Sequence, residues 1–98
     1  MADDTDLDRR GLHALNLYQQ GDYSEASRVL TKLHVDIYEG ALMHDLPESQ
    51  AYDLKEILEQ DFPHRAHENM TPAQERMAST FFSTAKIIAS ILSVYLLN

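Results

Sequence analysis

Apolar residues recur along this chain at steps of three and four, the spacing that gathers them on one face of an α-helix. The first row is Leu7, Gly11, Ala14, Leu15 and Tyr18, preceded by Thr5-Asp6-Leu7-Asp8, a capping hydroxyl with an acid three residues on. It predicts a helix over about 5–20, closed by Gly21, whose freedom to take positive φ suits a helix end. Asp22 and Glu25 open a second helix over about 23–43, with Ala26, Leu30, Leu33, Ile37 and Ala41 as its buried row. Gly40 weakens its last turn, and Asp45-Leu46-Pro47 stops it because the residue before proline avoids the α region.

Pro47 starts a third helix over about 47–61, which has Ala51, Leu54, Ile57 and Leu58 on one face and ends at Phe62-Pro63. His64 to Met70 is polar and aperiodic, the main loop. The sharpest local signal is Thr71-Pro72-Ala73-Gln74: threonine caps, proline fills the first turn and glutamine reaches back to the cap. It predicts a fourth helix over about 72–97, on which Ser79, Ser83, Lys86, Ser90 and Ser93 trace a narrow polar stripe while nearly everything else from Phe81 onward is apolar.

Four helices joined by short connections make the expected fold all-α: a four-helix bundle-like domain with antiparallel neighbours and a buried C-terminal helix. One domain spans 1–98, with 1–4 as a disordered lead, since 98 residues do not supply two independent cores. Helices two and four are longer than their partners, so Gly40–His44 and Ser93–Asn98 are expected to project or to meet another chain.

Tyr18-Gln19-Gln20-Gly21-Asp22-Tyr23-Ser24-Glu25-Ala26, with Ala14 before it, resembles the helix-turn-helix core of a tetratricopeptide repeat. In that family a small residue in the first helix, a Gly-Asp-Tyr turn and a following alanine allow two helices to pack closely. The resemblance covers about 10–33. Leu33 is larger than the family prefers, and residues 47–98 hold no second copy, whereas such arrays stack three or more.

Charge narrows the functional classes. The net charge is −8, and residues 1–60 carry thirteen acids against five Lys and Arg, while 61–98 carry three of each. That sign repels nucleic-acid backbones and anionic lipid, and favours a basic protein partner. The absence of cysteine removes thiolate ligands and nucleophiles and suits a reducing cytoplasm, and the acidic start lacks the basic-then-apolar pattern of a secretory signal.

Candidate chemistry is sparse. No glycine-rich phosphate loop, Gly-x-Ser-x-Gly elbow or His-Glu-x-x-His pair occurs, so a non-enzymatic protein without a cofactor is expected. The metal candidates are His64, His67 and Glu68, at most three ligands from one loop, while His13, His34 and His44 stand singly. The C-terminal helix is the stronger lead, because Ile87, Ile91, Leu92, Val94, Tyr95, Leu96 and Leu97 exceed what one buried face requires. The uncharged run after Lys86 is 12 residues, short of the roughly 20 that span a bilayer, so this surplus points to a self-associating or partner-binding interface. The expected function is therefore a small helical protein–protein interaction or regulatory module, a homodimer or larger assembly. An acidic inhibitor of the immunity or antitoxin type, aimed at a basic target, is the alternative reading, and a small metal-dependent enzyme built on His64, His67 and Glu68 is the third.

Overall fold

The structure is a computed structural model that describes residues 6–62 and 71–97. Four helices account for nearly all of them: α1 (Leu7–Gln19), α2 (Tyr23–Met43), α3 (Glu48–Glu56, continued by a π-helical turn over Ile57–Asp61) and α4 (Pro72–Leu97). The expected all-α, bundle-like fold is thus the observed one, with helix boundaries within two residues of those read from the sequence.

Local chemistry explains most of those boundaries. α1 ends in a Schellman turn: Gly21 stands at φ 89°, its N–H bonds the Tyr18 carbonyl, and the Asp22 N–H bonds the Leu17 carbonyl at 3.0 Å. Asp22 then caps α2 by accepting from the Glu25 N–H. At α4 the capping box forms in both directions, Gln74 N–H to Thr71 Oγ1 at 3.2 Å and Thr71 N–H to Gln74 Oε1 at 3.0 Å.

The start of α1 differs from expectation. The cap position is Asp6, and its carboxylate, ion-paired with Arg9, accepts from Gln50 Nε2 on α3 instead of capping a backbone N–H of its own helix. Gln50 Oε1 in turn accepts the Leu7 N–H, so a tertiary contact satisfies the first turn of α1. Thr5 and the lead 1–4 lie outside the described residues.

Two antiparallel hairpins, α1/α2 and α3/α4, are laid together in two layers. Within the first, Arg10 near the start of α1 bonds Asp36 near the end of α2, and Tyr18 meets Tyr23 across the turn. Within the second, Phe62 lies against Phe81, while Leu58 and Phe62 border one groove with Ala85 and Ala89. Between hairpins the helices run in the same sense. α1 follows α3, with Leu7 at Gln50 and Gly11 one turn on at Leu54. α2 follows α4, so that Tyr38, Ala41 and Leu42 lie beside Ser90, Ile91 and Val94. The connection His44–Pro47 therefore crosses from one layer to the other.

On α1, α2 and α3 the core is the predicted rows almost residue for residue: Leu7, Ala14, Leu15 and Tyr18; Ala26, Leu30, Leu33 and Ile37; and Ala51, Leu54 and Leu58; on α4, where the pattern marked only a polar stripe, it is Ala78, Phe81, Ala85, Ile88 and Leu92. Two positions depart from it. In α2, Gly40 is buried in place of Ala41, because Leu46 folds back over it; a Cβ there would stand 2.9 Å from Leu46 Cγ. In α3, Ile57 is only partly buried, and Phe62 takes the core position. Each four-residue step on an α-helix drifts by about 40°, so Leu54, Leu58 and Phe62 would fan apart; the wider π turn, closed by Phe62 N–H to Ile57 O, brings Phe62 back inward.

Candidate functional site

Aromatic packing fixes one end of the molecule. Tyr18 stacks on Phe81 with ring centroids 4.9 Å apart, Phe62 stacks on Phe81 from 5.4 Å, and Phe82 meets all three edge-on. The groove bordered by Leu58, Phe62, Phe82 and Lys86 opens beside this cluster. At the opposite pole α2 and α4 both end, and apolar side chains turn outward.

That pole is held by Tyr95. Its hydroxyl accepts from the Leu46 N–H at 3.1 Å and donates to the Leu46 carbonyl at 3.0 Å, pinning the α2–α3 connection to the last turns of α4. His44, which ends α2 in the left-handed conformation at φ 56°, lays its ring over Tyr95 at 6.1 Å. Beside this clamp runs a groove of about 470 Å³, lined by Tyr38, Leu42, His44, Ile91, Val94 and Tyr95 among others.

The groove belongs to a wider face. From α2 it takes Val35, Tyr38 (54% exposed) and Leu42 (64%), and from α4 Ile87 (48%), Val94 (63%) and, at the tip, Leu97 (85%). Helical spacing puts each set on one side: 35, 38 and 42 differ by three and four, as do 87, 91 and 94. Between and above them stand Thr31, Thr80, Ser83, Thr84 and Ser90, and charge is confined to the border: Arg28 and Glu39 on α2, and on α4 Lys86, one turn from Ser83 and Ser90, with Arg76 one turn before Thr80. For a chain of net charge −8, that is a pronounced segregation.

The expected interface residues on α4 divide. Ile87, Val94 and Leu97 are exposed, and Ile91 lines the groove. Leu92 does not belong with them: it falls one turn after Ile88 on the inward row and is fully buried. Leu96 packs partly against the core, and the Tyr95 hydroxyl is engaged by Leu46. Sequence reasoning named the end of α2, Gly40–His44, as a place to project or meet another chain, but missed Val35 and Tyr38; the signal was there as a second apolar row, Val35, Tyr38 and Leu42, displaced from the buried one.

Charge chemistry elsewhere is structural. Asp36 accepts from Arg10 Nη2 at 2.6 Å and from Lys32 Nζ at 2.9 Å. Desolvation pushes the Asp36 carboxyl up, but the hydrogen bonds from Lys32 and Arg10 outweigh it and hold the group below the ordinary carboxylate range. Glu25 is lowered by its hydrogen bond from Arg28, one turn away. Among the described residues no three His, Asp or Glu side chains gather as metal ligands, and His64, His67 and Glu68 lie outside them. α4 is long and apolar enough to cross a membrane by length and composition alone, although its inward row is packed against the other helices.

The fold and this face define a small all-α bundle with an exposed apolar surface along α2 and α4. The chain matches no protein-family model, no curated protein and no solved structure. The tetratricopeptide resemblance accordingly stays confined to the α1–α2 hairpin, where Ala14 and Ala26 are both fully buried.

Proposed function

We propose that this protein is a non-enzymatic interaction module that self-associates through the α2–α4 face. The supporting observation is the exposed apolar set Tyr38, Leu42, Ile87 and Val94 beside one groove, on a surface whose α4 border carries Lys86 and Arg76 but no acid. A basic target would call for acids within the face, and none stands there. A second copy, equally apolar at that place, gains by removing both surfaces from water.

Val94→Asp is the diagnostic substitution, because Val94 is 63% exposed and its change leaves the core intact. Sedimentation equilibrium is expected to find a dimer for the natural sequence and a monomer of unchanged helicity for Val94→Asp. Leu92→Asp places a charge in the core and is expected to unfold the chain. A natural sequence that stays monomeric at high concentration, or that floats with phosphatidylcholine vesicles as a monomer, overturns the reading.

A further inference from the structure

The face carries a symmetry that says how two copies meet. On α4 the outward residues Thr80, Ser83, Ile87, Ser90, Val94 and Leu97, all exposed, follow steps of three, four, three, four and three. This is the seam of a helix that packs along another helix, with large side chains as knobs and serines as the spaces between them. The seam is close to palindromic about Ser90: Ile87 and Val94 flank it as matching β-branched residues, while small Ser83 at one end answers large Leu97 at the other. On α2 the row Val35, Tyr38, Leu42 is likewise centred on Tyr38, and Tyr38 shares its groove with Ser90 and Ile91. Both rows are thus centred at one level of the molecule.

We infer that a second copy docks on this face about a two-fold axis that runs across α2 and α4 at the level of Tyr38 and Ser90, with α4 antiparallel to the partner's α4. This inference rests on the self-association proposed above. In that arrangement Ile87 meets Val94 of the partner subunit, Ser83 receives Leu97 of the partner subunit, and Val35 meets Leu42 of the partner subunit. A parallel pairing instead sets Ser83 against Ser83 and leaves gaps between the serines. It also aligns the two helix dipoles, which the antiparallel pairing opposes favourably. The absence of charge from both rows means that neither copy, at net charge −8, brings an acid against its partner there.

Because the chain has no cysteine, single introduced thiols report the geometry by disulfide formation under mild oxidation, read on non-reducing gels. Ser90→Cys, at the axis, is expected to link to itself. Ser83→Cys and Leu97→Cys are expected to link when mixed, and Ser83→Cys alone to remain unlinked, at the level of Ser49→Cys on α3, an exposed position that reports random collision. Self-linking of Ser83→Cys overturns the antiparallel arrangement in favour of a parallel one. A dimer by sedimentation in which Ser90→Cys stays unlinked moves the interface elsewhere and overturns this inference while leaving self-association standing. A monomer by sedimentation removes both.

Discussion

His44 is the only non-glycine residue with positive φ among those described, and it stands where a helix terminus accepts glycine without strain. The left-handed conformation costs a residue with a Cβ about 1 kcal/mol, so His44→Gly is expected to raise the unfolding free energy by about that amount in urea titrations. A loss of stability instead would show that the ring over Tyr95 contributes more than the backbone strain removes. Asp36 makes a prediction of opposite character. Its folded carboxyl is held below the ordinary range, so its contribution is present above the unfolded carboxylate pKa of about 4 and is lost as pH falls through the lower folded value. Replacing it with asparagine should therefore destabilise the protein at neutral pH and flatten the acid limb of a thermal melt series below about pH 4.

Among the elements, α4 has the most self-sufficient start, since Thr71 and Gln74 satisfy each other's backbone donors. Thr71→Ala should cost about 1 kcal/mol, and the double change with Gln74→Ala should cost less than the sum of the two singles, because both act on one reciprocal unit. This motif was legible in the sequence because it is complete within four residues. The same holds for the Gly21-Asp22 turn and for the inward rows, whose periodicity alone sorted buried from exposed positions on α1. What escaped was anything requiring a distant partner. Asp6 is drawn away from its own helix by Gln50, 44 residues on, and Gly40 is buried because Leu46 returns over it. The π turn at Ile57–Asp61 was equally hidden, since only the need to aim Phe62 at Phe81 reveals its use. The candidate face was half legible. A surplus of apolar residues on α4 announced it, but assigning Leu92 inward and Leu42 outward needed the packing of α2 against α4.

At the scale of the whole molecule, laying the two hairpins in the same sense is what concentrates apolar surface at one pole. Had α4 run against α2, Leu42 and Val94 would stand at opposite ends and no shared groove would exist. The two ends therefore differ: one anchors the bundle with stacked rings, and the other presents the exposed apolar side chains on which the proposed association rests. The Tyr95 hydroxyl adds a consequence for how the chain acquires its shape. It is the partner of both backbone groups of Leu46, 49 residues earlier, so this brace on the elbow between the layers cannot form until α4 has emerged from the ribosome through Tyr95. The α1–α2 hairpin can assemble from local contacts as it emerges, whereas the crossing to the second layer is braced only once the last turns of α4 follow.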